Sequence, residues 1–212
     1  MLSQWQHILR PIDCGPMRLK NRLTSAPINT GLENLSNLAA LADFYAEAAA
    51  DGVSLVTLFS PALSGQAKQN ADILPTVSDD FRRYKPILKA VSSFDCRVAI
   101  ELNHIGQDAG VLFPISSVPG VSKHTGKSFH AAPAFLIRKA IHQFAQCAQR
   151  AASVGFDAVE INASGRSLIA SFLSPAINTR QDAWGTNQLG RFRFLLETVR
   201  SCKRNLPENK AL

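Results

Sequence analysis

Residues 155–200 read GFDAVEINASGRSLIASFLSPAINTRQDAWGTNQLGRFRFLLETVR, and this stretch decides the fold. It opens as a buried strand, with Phe156, Ala158, Val159 and Ile161 apolar. It then runs through a long polar loop and closes in a helix whose apolar positions recur every three to four residues. That order is a βα unit with an enlarged loop after the strand's C-terminal end. In parallel α/β folds the strand ends and helix N-termini converge there, so ligands and chemistry collect on such loops.

Working outward, the same unit recurs three times upstream. Residues 23–27 form a first short strand, and residues 38–50 a helix with Leu38, Leu41, Ala42, Tyr45, Ala48 and Ala49 on one stripe, Asn37 as N-cap and Gly52 as stop. Residues 53–59 are a continuous apolar run, hence a buried parallel strand. Asp79 or Asp80 caps a helix reaching Phe94, with Phe81, Tyr84, Ile87, Leu88 and Val91 inward, and residues 97–102 are the third strand. Residues 134–154 are the third helix, and residues 189–205 the last. Residues 104–133, rich in Gly, Pro and Ser, are too long for a plain connection and read as a functional cap or as disorder. The start, residues 1–22, carries Pro11, Gly15 and Pro16 among isolated apolar positions and reads as a hairpin or plug. Residues 206–212 read as a polar tail.

Four alternations of strand and helix are the order of a TIM (β/α)8 barrel. Such a barrel takes about 250 residues and eight strands, so these 212 residues are expected to be one domain, a half barrel of four βα units. An open half barrel exposes two strand edges and one apolar side. This leaves self-association, pairing with a second half barrel, or a poorly folded remnant.

Composition narrows the function. With 46% apolar and 18% charged residues the chain reads as an ordinary globular protein. Its net charge of +7 is spread without Lys/Arg runs, so nucleic acid is not the expected partner, whereas a small phosphate-bearing molecule is compatible. Cys14, Cys96, Cys147 and Cys202 are scattered without CxxC spacing, no apolar run approaches the roughly 20 residues of a membrane span, and no export signal appears. Reduced thiols, no membrane and a cytoplasmic setting are the expectation.

The run Phe172-Leu173-Ser174-Pro175, then Asn178, Arg180, Asp182, Trp184-Gly185, Arg191, Arg193-Phe194 and Glu197, resembles the signature of the old yellow enzyme family of NADH:flavin oxidoreductases, with closest similarity to its 2,4-dienoyl-CoA reductase branch. Leu19-Lys20-Asn21-Arg22, Ala26-Pro27 and Thr30-Gly31-Leu32-Glu33 form a second match, so the resemblance runs from about His7 to Arg204. It implies FMN as cofactor, NAD(P)H as reductant, and hydride transfer through the flavin to an activated alkene, a small-molecule substrate. It also implies that Ala26, Pro27, Ile28, Glu101 and His104 face the cofactor, and that Asn178, Arg180, Asp182 and Trp184 order the loop.

The chain departs from that pattern where chemistry is carried. Glu101 stands where the family has a Gln, and Gln107 where an Arg is common. Asn162 retains one substrate-gripping position while Gly165 empties the other. Arg166-Ser167 replaces a Gly-Tyr pair whose Tyr donates the proton. Asn162, Ser167 and Arg166 are therefore the candidate catalytic residues, Arg166 as a stabiliser of a developing oxyanion. A non-catalytic relic or interaction module of the same fold is the alternative. A half barrel binding some other phosphate ligand is a third reading.

Overall fold

The computed structural model describes residues 5–33, 37–59, 81–109 and 114–212. A short helix α1 (Gln6–Leu9) leads into an antiparallel hairpin of β1 (Ile12–Cys14) and β2 (Met17–Leu19), closed by a left-handed turn at Gly15, φ +59°. The main sheet is parallel, in the order β3 (Thr24–Ser25), β4 (Leu55–Leu58), β5 (Arg97–Leu102) and β9 (Ala158–Ile161). Each strand is paired with the next along the sequence of units, as right-handed βαβ connections demand. Half of a (β/α)8 barrel is what these strands and the helices beside them build.

The helices are α2 (Leu38–Ala50), α3 (Lys85–Val91), α4 (Ala134–Val154), α5 (Leu168–Leu173) and α6 (Gln188–Asn205). Leu41, Ala42, Tyr45 and Ala49 of α2, Ile87 and Val91 of α3, and Ile137, Ala140, Phe144 and Ala148 of α4 are buried. They pack on the strand face carrying Val56, Leu58, Val98, Ile100 and Val159. On the opposite face the hairpin plugs the bottom of the half barrel, with Met17 and Leu19 against Ala99, Ala158 and Ala211.

Several expectations change in detail. The helix expected from residue 79 or 80 begins as a 3-10 turn at Phe81–Tyr84 before α3; Asp79 and Asp80 lie outside the described residues. Asn37 precedes α2 without a side-chain cap bond, and only Thr24–Ser25 of the first strand pairs. Residues 114–133, within the stretch read as cap or disorder, hold three strands: β6 (Ile115–Ser116), β7 (Gly120–Val121) and β8 (Ser128–Ala131), in the order β6-β8-β7. The polar loop after β9 contains α5, whose apolar run LIASFL is short enough to pass for loop but long enough to bury Leu168, Ile169 and Phe172.

β9 is not buried throughout: Glu160 is exposed, because β9 is the last strand of an unclosed sheet. Nor is the terminal segment a plain tail. Val159 N–H donates to Ala211 O (3.0 Å) and Ala211 N–H to Asp157 O (3.1 Å), so residues around Ala211 run parallel to β9 and begin a fifth strand position. An unpaired edge strand offers bare N–H and C=O groups, and this segment covers part of that edge.

Candidate active site at the strand tips

Ala26, Phe59, Asn103 and Asn162 are each the first residue after a sheet strand, so all four stand at the same end of the parallel sheet. Local bonds fix these tips. Tyr45, 1% exposed, accepts the Phe59 N–H on its hydroxyl (3.2 Å), and burial pushes its phenol up to about 12. Asn21 donates to Gly52 O (2.8 Å) and accepts from Leu23 N–H (3.0 Å), holding β3 beside β4. Glu33 accepts from the Thr30 backbone N–H (2.7 Å) and hydroxyl (2.8 Å), which folds the turn after β3.

A cavity of about 390 Å³ opens at this end, lined in part by Phe59, Asn103, Ile105, Asn162, Arg166 and Ser167. The structure therefore brings together the three candidate catalytic residues. It also assigns each a local job. Ser167 is the N-cap of α5, its hydroxyl oxygen accepting the Ala170 N–H at 3.1 Å, which is the role Ser fills best at a helix start. Its neighbour Arg166 lies with Nε 3.1 Å from Asp108 Oδ2. Asn162 donates its Nδ2 to Glu101 Oε1 and accepts at Oδ1 from the Ser164 N–H (2.9 Å), so both ends of its amide are engaged.

Glu101 and His104 do not line this cavity. In-register pairing puts Glu101 beside Glu160 on the inner face of the half barrel. Glu101 is buried, its Oε2 has no partner, and its carboxyl lies above the usual range because of burial, with the nearby Glu160 adding to the rise. A proton held more tightly by the folded chain gives stability that is complete below the unfolded carboxylate pKa and is lost as the pH rises through the folded one. Glu101→Gln is expected to remove that alkaline loss, gaining about 1–3 kcal/mol over the wild type at high pH. Urea midpoints of both proteins between pH 5 and pH 9 check this; parallel curves would contradict it.

His104 is 3% exposed and accepts the Gly106 N–H on Nδ1 at 3.1 Å, while its carbonyl accepts the Leu168 N–H at 2.7 Å. Gly106 has the left-handed φ of +54° that glycine favours and little room for a side chain, since a Cβ would stand 3.1 Å from Leu168 Cα. His104 is thus a buried, neutral joint between β5 and the start of α5. Ala26 and Ile28 are exposed and Pro27 half-buried along the tip of β3, apart from the cavity.

The loop residues that carry the family resemblance order the site from outside. Asn178 donates from one amide nitrogen to Phe172 O (2.8 Å) and Trp184 O (2.9 Å). Arg180 donates to Ser117 O and Ala132 O and pairs with Asp182, tying the loop to the cap sheet. That guanidinium holds the Asp182 carboxyl below its usual range. Sequence reading passed over Asn103, Asp108, His124 and Glu160. Only Glu160, a charge in the middle of an apolar strand, carried a visible signal; Asn103 and His124 sit in loops and Asp108 in a single 3-10 turn (Gly106–Asp108), none of which a periodic pattern encodes. Among the described residues there is no cluster of ligands for a metal, and no helix is long and apolar enough to cross a membrane.

Comparison with known proteins agrees with this layout. Residues 7–210 match the NADH:flavin oxidoreductase / NADH oxidase family. The chain is 30% identical over 207 residues to the chanoclavine-I aldehyde reductase of Penicillium roqueforti, covering 92% of this chain and 56% of that protein. It is 28% identical over 204 residues to an NADPH dehydrogenase of Bacillus subtilis, covering 92% and 60%. Among solved structures, morphinone reductase in complex with tetrahydroNAD superposes with a TM-score of 0.82 at 22% identity, covering 96% of this chain and 62% of that one. The 6-hydroxypseudooxynicotine amine oxidase of Pseudomonas geniculata gives a TM-score of 0.89 at 21% identity, covering 98% and 32%. The chain thus spans from about a third to three-fifths of the length of these relatives. With the family matched over nearly its whole length and half of the family's barrel in place, this chain belongs to the NADH:flavin oxidoreductase / NADH oxidase family.

Proposed function

We propose that this chain contributes the ring-facing half of an FMN site and the substrate cavity of an NAD(P)H-dependent flavin oxidoreductase acting on an activated alkene. The observation that carries the reading is the convergence of Asn162, Arg166 and Ser167 on one cavity at the strand tips of a family half barrel. The residues present suit the ring of the cofactor: Ala26, Pro27 and Ile28 offer a small, uncovered apolar ledge, Ile28 being 51% exposed. Glu101 stands at the family's Gln position as a buried carboxyl that burial raises above its usual range, and it offers the ring edge a donor only where it holds its proton. FMN, when bound, supplies the two-electron hydride chemistry.

The chain's own residues then divide the remaining work. Ser167 keeps a hydroxyl proton to donate, since its oxygen lone pair alone is used in capping α5. Arg166 brings a fixed positive charge to the cavity, and Asn162 is held in one orientation by Glu101 and Ser164. His104 stays neutral and joins the end of β5 to the start of α5. The open sheet edge beside residue 211 favours completion of the barrel by further βα units or by a second copy.

A second reading, a non-catalytic module of the same fold, draws on two observations. The Ser167 hydroxyl is engaged in a helix cap, and the Asn162 donor is engaged by a buried carboxyl. A flavin titration separates the two. The first expects saturable quenching of FMN fluorescence, a rise in Tm with FMN concentration, and NAD(P)H oxidation by the loaded protein. No quenching and no Tm shift at millimolar FMN would leave only the second.

A further inference from the structure

We infer that the cavity at the strand tips recognises a carboxylate through Arg166, with Asp108 as the residue that positions the guanidinium. The inference rests on reading the cavity as the substrate site, and adds the chemical class of the substrate.

Three features carry it. First, Arg166 is tethered without being spent. Gly165, φ +58°, makes the turn in which Ser167 N–H donates to Ser164 O, and that turn sets Arg166 at the rim of the cavity. Asp108, also in the cavity lining, stands with Oδ2 at ion-pair distance from the guanidinium Nε without a hydrogen bond to it, and its Oδ1 is braced by the Ser122 hydroxyl at 2.6 Å. Ser122 is braced in turn by the His124 and Thr125 N–H groups, so a chain of contacts runs from the cap sheet to Arg166. Second, no hydrogen bond uses the terminal nitrogens of Arg166 among the described residues, so the end-on edge that grips a carboxylate with two parallel N–H groups is available.

Third, the rest of the cavity suits the body of such a molecule. Phe59 and Ile105 give it apolar wall, while His124 and Ser167 add polar groups at the lining. Asn103 Oδ1, also in the lining, is buried without a partner. A buried acceptor left bare is costly, and a guest hydroxyl or an accompanying water satisfies it. An apolar or conjugated body with a carboxylate at one end fits this set of groups; an uncharged body leaves Arg166 unused.

Asp108 makes the distinction between positioning and plain electrostatics testable. If only net charge matters, removing an acid beside Arg166 tightens anion binding. If Asp108 orients the guanidinium, removing it weakens binding although a negative charge is gone.

The test needs no flavin. The full chain is titrated by calorimetry, in low-salt buffer, with trans-cinnamate, with its uncharged methyl ester, and with inorganic phosphate. Cinnamate is expected to bind about tenfold or more tightly than the ester, with phosphate weaker than cinnamate. Arg166→Gln is expected to lower cinnamate affinity about tenfold and leave the ester unchanged, Arg166→Lys to recover part of it, and Asp108→Asn to weaken cinnamate several-fold. Equal binding of acid and ester, preference for phosphate, or an unaltered Arg166→Gln protein overturns the carboxylate site; tighter binding by Asp108→Asn overturns the positioning role. Because Arg166 is largely exposed, its variants keep the fold, which circular dichroism verifies. Absence of FMN binding would leave these results standing, so the two readings fail separately.

Discussion

Lowering the pH from 7 to 4 is expected to cost the folded chain about 3 kcal/mol through His104 alone. Burial brings the His104 imidazole down to about 4, from an ordinary value near 6.5. The cause is geometric: the ring is enclosed, and its Nδ1 must keep a lone pair to accept the Gly106 N–H. Protonation places an unpaired charge in the interior and breaks that bond. The sign follows from linkage. The unfolded chain binds the proton first, so the contribution of His104 is complete above pH 6.5 and drains away as the pH falls toward 4. In the wild type this loss runs against the opposite slope from Glu101, whose raised carboxyl stabilises the acid side. The clean measurement is therefore a difference: urea midpoints of wild type and His104→Asn, in which an amide oxygen accepts from Gly106 at every pH. The wild-type curve is expected to fall relative to the variant between pH 6.5 and 4. Two parallel curves would mean that His104 titrates normally.

The second large effect is expected from Phe194→Ala, a loss of about 3–5 kcal/mol. Phe194 of α6 is fully buried and meets Phe172 of α5 edge-to-face, with ring centroids 5.2 Å apart. Domains of this size are stable by only about 5–15 kcal/mol, so the variant loses a large fraction of what holds it together. The damage reaches the site through a short path. Phe172 also carries the Arg180 guanidinium over its ring, 5.7 Å from the centroid, and its carbonyl accepts from Asn178. Loosening Phe194 loosens the loop that joins α5 to α6 and the segment carrying Arg166 and Ser167. A urea midpoint close to that of the wild type would show that the cavity collapses without cost, contrary to expectation.

These two residues illustrate how much of the site was legible. Phe194 falls in a stretch with a clear helical period, and a residue at such a position is readable as core from its neighbours. Asn178, Arg180 and Asp182 were readable as loop-ordering groups through family resemblance, and their hydrogen bonds bear that role out. His104 was readable only as a histidine at a strand end, because its protonation depends on what covers it. Ser167 was read as a replacement proton donor. In the fold its oxygen caps α5, a helix the sequence had hidden in a polar loop. Arg166 was readable as a charge, whereas its partner Asp108 sits 58 positions away in a single 3-10 turn too short to leave a periodic pattern.

By itself the chain's sequence determined the alternation of strand and helix, the limits of α2, β5 and α4, the plugging hairpin and the half-barrel count. All of these follow from periodicity, turn residues and runs of apolar side chains, which act over a few neighbouring positions. Only the tertiary structure decided that Glu101 faces Glu160, that Asp108 reaches Arg166, that residues near Ala211 pair with β9, and that the cap is a sheet. Those pairings join distant positions through register and loop direction, which are fixed when the elements pack against one another and the buried polar groups find their partners.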